Sequence, residues 1–128
     1  LPLRLSVVGA DDYPRVVSVW YRYEREKLWC VTHRSSSLAR LLGANTRVGF
    51  EISADAPPYC GVRGQGDVVL RPLGTDPTLE KLLMRYIGDL DSSFSQWLLS
   101  RQAEELLIEI SPVRFFSWDY RARMSRED

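Results

Sequence analysis

The sequence predicts a mainly β protein: a β-barrel of about seven strands with three short helices at its periphery, formed by residues 1–128 as a single domain. Two observations lead there. Alternating or β-prone apolar segments recur along the chain, whereas helical apolar stripes are few and brief. So many strands with so little helix favour a barrel, because closure removes the edges an open sheet exposes. An open α+β sheet is the alternative.

Leu3, Leu5 and Val7 alternate with Arg4 and Ser6, predicting a first strand that ends at the turn cluster Asp11-Asp12-Tyr13-Pro14. Arg15 to Tyr23, rich in Val, Trp and Tyr, and Leu28 to Thr32 predict strands two and three. The polar turn Glu24-Arg25-Glu26 joins them as a hairpin. Arg47 to Ser53 and Gly61 to Leu70 follow, separated by Ala54-Asp55-Ala56-Pro57-Pro58, whose prolines exclude a regular central strand. Glu105 to Ile110 and Val113 to Trp118 complete the set, with Pro112 as a bend between them. The first helix is predicted from Leu38, Leu41 and Leu42, behind Ser35 as N-cap and before Gly43 as a stop. Asp76-Pro77 opens the second, whose stripe of Leu79, Leu82, Leu83, Tyr86 and Ile87 ends near Gly88. Phe94, Trp97 and Leu98 place the third over Ser93 to Ala103, capped by Asp91 or Ser92.

The 45% hydrophobic and 27% charged content is that of a folding chain, not of a disordered one. A formal net charge of zero supplies no overall field for nucleic acid or anionic lipid, so neither nucleic acid nor membrane is expected as a partner. Cys30 and Cys60 form no close-spaced pair of the kind zinc or redox motifs use, and both are expected as free thiols in a reducing compartment. No apolar run reaches the roughly 20 residues that cross a bilayer, and no signal peptide precedes Leu1; the expected location is cytoplasmic. The chain starts without Met, directly at a strand, so an N-terminal segment is expected to have been removed or to lie outside it.

The stretch richest in chemistry is Thr32-His33-Arg34-Ser35-Ser36-Ser37 followed by Arg40, where a strand runs into a helix start. Unpaired backbone N–H groups and the positive end of the helix dipole meet there, and hydroxyls and guanidinium groups add donors suited to a phosphate. The plain alternative is a Ser N-cap in a solvated loop. His33, the only His, reads as a strand-end polar residue, with substrate or iron contact as the sharper alternative. No metal site is expected, because no Cys or carboxylate has ligand spacing around His33. Glu104, Glu105 and Glu109 are expected to be solvated. Trp20, Trp29, Trp97 and Trp118 are expected in core or interface. No G-x-S-x-G elbow or Ser–His–Asp pattern is present.

Four segments carry a resemblance. They are Tyr13-Pro14-Arg15-Val16-Val17-Ser18-Val19-Trp20-Tyr21, the run from Leu28 to Asn45 with Arg47-Val48, Val62-Arg63-Gly64-Gln65-Gly66, and Ser111-Pro112-Val113-Arg114 through Ser117-Trp118-Asp119. In order and spacing they resemble the pyridoxamine 5′-phosphate oxidase-like, FMN-binding split-barrel superfamily, especially its branch of flavin- and deazaflavin (F420)-dependent oxidoreductases. The resemblance implies a split β-barrel and a homodimer with the cofactor in a groove at the interface. It implies hydride transfer to or from a small-molecule substrate, with FMN as first choice of cofactor and F420 as second. Val17, Ser18 and Val19, with Trp20 beside them, would line the flavin ring; Thr32, Ser36, Ser37 and Arg40 would hold the phosphate; Trp118 would approach from the partner chain.

Departures from the family pattern matter too. Leu38 stands where members often carry a phosphate-neutralising Lys, which Arg34 or Arg40 would have to replace. Trp20 stands where the true pyridoxamine phosphate oxidases carry a phosphate-contacting Lys, which argues against that activity. Two alternatives follow: a cofactor-free split barrel serving as a binding or structural module, and a haem-binding relative using His33.

Overall fold

The computed structural model describes residues 1–120 and 122. Seven strands form one antiparallel sheet: β1 (Leu3–Val8), β2 (Pro14–Val19), β3 (Arg22–Glu24), β4 (Lys27–His33), β5 (Arg47–Ser53), β6 (Cys60–Pro72) and β7 (Glu105–Asp119). Helix α1 (Ser37–Ala44) lies between β4 and β5; α2 (Thr78–Tyr86) and α3 (Ser93–Ser100) lie between β6 and β7. The mainly β architecture with three helices is therefore as expected.

The sheet order β2-β1-β5-β6-β7-β4-β3 puts β2 and β3 at opposite edges, although they are consecutive in the chain. Only Trp20 and Tyr21 separate Val19 from Arg22. Three Cα steps reach about 11 Å at most. The two edges must therefore curl to within that distance, rolling the sheet into a barrel, yet β2 and β3 share no ladder. The barrel is split.

Seven strands are present, but two of the predicted divisions fall elsewhere. Arg15 to Tyr23 is not one strand: β2 pairs with β1, Leu3 opposite Val19, whereas β3 pairs with β4, Arg22 opposite Trp29. The hairpin is the β3–β4 pair, and its central residues Arg25 and Glu26 both have positive φ, as a two-residue turn matching the strand twist requires. Conversely, Pro112 does not divide β7. A register shift between Gln65 and Gly66 puts Gly66 opposite Pro112 and Gln65 opposite Arg114, so Val113 is bulged out. The bulge accommodates the proline, which cannot donate to the ladder.

Alternation builds the core. Leu3, Leu5 and Val7 of β1, Val48 and Phe50 of β5, Val68 of β6 and Ile108 and Ile110 of β7 point inward, joined by Leu28 and Cys30. Leu38 and Leu42 of α1 plug one end. Gly64 is required by packing: a Cβ there would lie 2.4 Å from the Arg114 carbonyl oxygen and 2.7 Å from the Phe50 ring. A second core lies outside the barrel, where Trp29 and Leu107 meet Leu73, Leu79 and Leu83 under α2.

The helix starts follow their caps. The N-cap of α1 is Ser36, one residue beyond the expected Ser35, and its Oγ accepts from Ala39 N–H. Asp76 accepts from both the backbone N–H and the hydroxyl of Thr78 at the start of α2. Ser92 caps α3, which ends at Ser100; a separate 3₁₀ turn over Gln102–Glu104 completes the span expected as one helix. No helix among the described residues is long and apolar enough to cross a membrane.

Candidate functional site

The near-meeting of the sheet edges and the crossing of β4 into α1 enclose a cleft of about 390 Å³. Ser18, Val19 and Trp20 enter from the end of β2, Val31, Thr32 and His33 from β4, and Ser36 from the α1 start. Leu79, Leu82 and Leu98 add an apolar wall from α2 and α3, and Arg101 and Glu105 close the far side. Trp20 is held against this wall: it stacks on Tyr86 at 5.1 Å and 6° and meets Phe94 edge-on at 6.4 Å.

Polar groups cluster where β4 ends. Thr32 Oγ1 and Ser36 Oγ lie 2.8 Å apart. The first turn of α1 carries no acidic side chain, so nothing there opposes an anion. His33 is fixed on both ring nitrogens. The Ser35 N–H donates to Nδ1 at 3.1 Å, which leaves the proton on Nε2, donated to Glu104 at 2.9 Å. That hydrogen bond holds the Glu104 carboxyl below the usual range, and Arg34 adds an ion pair at 3.8 Å.

Glu105 behaves differently. It is 7% exposed and lies opposite His33 in the β4–β7 ladder, and burial pushes its carboxyl up. Glu109 is drawn between Lys27 and Arg71, each at 3.5 Å. The expectation of solvated glutamates is thus corrected for two of the three. Alternation puts Glu105, Leu107 and Glu109 on one face of β7, and that face lies under α2 and α3.

Of the nine residues expected at a cofactor, the cleft gathers Ser18, Val19, Trp20, Thr32 and Ser36. Val17 packs against the barrel interior, and Ser37 is exposed on α1. Arg40 is exposed, its guanidinium 3.5 Å from the Ser35 carbonyl oxygen. Trp118 lies at the far end of β7 under the guanidinium of Arg63, 5.7 Å from its ring centre. Leu38, at the expected Lys position, is buried in the barrel. The cation that does line the cleft is Arg101, which sequence reasoning missed together with Glu105. Pairing of β7 with β4 brings Glu105 there, opposite His33, and the packing of α3 brings Arg101; no local motif signals either.

The second concavity, about 550 Å³, is a trough on the outer face of β1, β2, β5, β6 and the end of β7. Arg4, Val16, Glu51, Arg63 and Phe116 line it. Neither cysteine is a nucleophile of the cleft: Cys30 is buried in the barrel, which pushes its thiol up to about 12, and Cys60 lies at the start of β6.

The fold and this site define the class: the chain has the split-barrel fold of the pyridoxamine 5′-phosphate oxidase-like superfamily that its motifs resemble. An F420 reductase superposes with a TM-score of 0.77 at 25% identity, covering 91% of this chain and 89% of that one. A candidate pyridoxamine 5′-phosphate oxidase from Listeria innocua gives 0.67 at 15%, covering 91% and 86%. The haem storage protein HutZ from Vibrio cholerae gives 0.71 at 13%, covering 90% and 84%. No protein-family model and no curated protein sequence matches the chain.

Proposed function

We propose that this protein is an oxidoreductase that binds FMN or F420 in the cleft between β2, β4 and α1 and exchanges hydride with a small molecule. One observation carries the reading: five of the residues singled out from the sequence, drawn from β2, the link after it, β4 and the α1 cap, line a single cleft. Their chemistry fits a flat cofactor with an anionic tail. Val19, Trp20, Leu79, Leu82 and Leu98 offer ring-sized apolar area, while Thr32, Ser36 and the α1 start offer donors. The bound cofactor supplies the hydride; the protein supplies orientation, anchoring and exclusion of water.

The trough is the surface we assign to a second copy. None of α1, α2 and α3 covers it, and Val16 and Phe116, 68% and 52% exposed, would otherwise face water. A homodimer formed there would bring Trp118 of each copy to the interface, from which, as the family resemblance implies, it would approach the cofactor held by the partner chain. The free thiols among the described residues suit a cytoplasmic location.

The haem alternative is disfavoured, because both ring nitrogens of His33 are engaged by Ser35 and Glu104. The cofactor-free module is tested directly. Fluorescence titration of the purified protein with FMN and with F420 in parallel is expected to give saturable binding of at least one; failure of both leaves the cofactor-free module.

A further inference from the structure

Glu105 is the one cleft residue whose ionisable side chain has no protein partner to explain its burial. It is 7% exposed, yet no described residue hydrogen-bonds or ion-pairs with its carboxyl. Among the described residues no fully buried polar side-chain atom lacks a partner, so the oxygens of Glu105 keep access to the cleft. Arg101 lines the same cleft and also has no ion pair; its guanidinium lies over the Trp97 ring at 4.6 Å instead of closing onto Glu105. An unpaired guanidinium, two hydroxyls and a helix start suit an anion, and an ionised carboxylate among them would repel it.

We infer that Glu105 is a ligand-binding residue of this cleft, which takes an anionic ligand together with one proton carried on the Glu105 carboxyl. As a neutral acid it would donate a hydrogen bond to an oxygen of the ligand, beside the one hydroxyl of the Thr32–Ser36 pair whose proton their mutual hydrogen bond leaves free, and would no longer repel it. The groups that face it are His33 from β4, Arg101 beyond α3 and Glu104 beside it; α2 presents Leu79 and Leu82. His33 and Arg101 favour the ionised form, whereas burial and Glu104 oppose it. A ligand that displaces water and adds negative charge strengthens the opposition. This inference rests on the cofactor reading, with FMN and F420 as the probes.

Isothermal titration calorimetry in buffers of different ionisation enthalpy counts protons taken up on binding. It is run over a pH series starting above the second ionisation of a phosphate monoester, about 6. We expect uptake approaching one proton in part of the series, with affinity falling up to about tenfold per pH unit there. Glu105→Gln, which keeps a donor, is expected to bind without that proton and without that slope, whereas His33→Asn retains both. Binding with no proton uptake anywhere in the series, or an unchanged slope in Glu105→Gln, overturns the inference and leaves the cofactor reading standing. Absence of binding by either probe to the wild type overturns both. Should Glu105→Gln not fold, the wild-type proton count alone decides.

Discussion

The barrel has two outer faces, and they are finished differently. The face of β3, β4 and the first half of β7 is roofed by α2 and α3, which turns Trp29 and Leu107 into a second core and makes one wall of the cleft. The face of β2, β1, β5, β6 and the second half of β7 has no roof among the described residues. Strand β7 crosses from one face to the other: Leu107 is fully buried, whereas Val113, Phe115 and Phe116 are each more than half exposed. Apolar residues of the same strand are thus core in one half and surface in the other. The difference lies in what covers the strand, and on the bare half none of the described residues does.

The largest expected difference sharpens that contrast. Leu107→Ala removes a fully buried side chain beneath the helices and should cost about 2–5 kcal/mol. Phe116→Asp, on the bare face, should leave monomer stability within about 0.5 kcal/mol. Urea unfolding with both variants monomeric checks the pair. Sedimentation velocity then adds the second copy: wild type is expected to sediment as a dimer and Phe116→Asp as a monomer. A monomeric wild type would leave the bare face without its proposed partner.

Gly64 belongs to the joint between the two faces, on β6 opposite Phe115. The Cβ of Gly64→Ala would meet the Arg114 carbonyl and Phe50 inside contact distance. Overpacking of this kind typically costs about 1–3 kcal/mol. The expected readout is a lower urea midpoint with an unchanged denaturant slope. A neutral result would mean that the ribbon of β6 and β7 shifts freely at the bulge, and that the bare half is not rigidly tied to the roofed one.

How much of this was legible in sequence follows the same division. Local signals served well: the alternation of Leu3, Leu5 and Val7, the capping of α2 by Asp76 and the Ser-rich start of α1 all have local physical causes. Two kinds of reading failed. The continuous β-prone run from Arg15 to Tyr23 concealed a passage from one sheet edge to the other, because strand propensity carries no information about the pairing partner. Glu105 reads as a solvated residue until α2 and α3 fold over its face, and Arg101 joins it only through that packing. The half of the cleft made by β2, β4 and the α1 cap was therefore visible in motifs, and the half made by the roof was not.

The α1 cap sharpens the distinction between holding the fold and holding a ligand. Ser36→Ala removes the acceptor for Ala39 N–H and the partner of Thr32 Oγ1. Loss of an N-cap costs about 0.5–2 kcal/mol. FMN or F420 affinity should fall as well, measured by fluorescence titration under conditions where the variant is fully folded. Ser36→Thr, which keeps the hydroxyl, is expected to restore most of the cap and part of the affinity. Restored stability with no recovered affinity would assign Ser36 to the fold alone.

The smallest effect concerns the pair beside the roof. Glu104 has its carboxyl lowered, chiefly by the His33 hydrogen bond, so the folded form favours the ionised state. The stability this supplies is present above the ordinary glutamate range, about 4.3, and is lost as pH falls through the lower folded value. Glu104 is exposed, so the contribution is screened and small. Glu104→Gln should therefore unfold at slightly lower urea than wild type near neutral pH, and the two curves should converge on acidification below the carboxylate range. The convergence matters more than its size. Were the gap to persist in acid, Glu104 would act through packing against β4 and not through its charge, and the fixed tautomer of His33 would owe nothing to it.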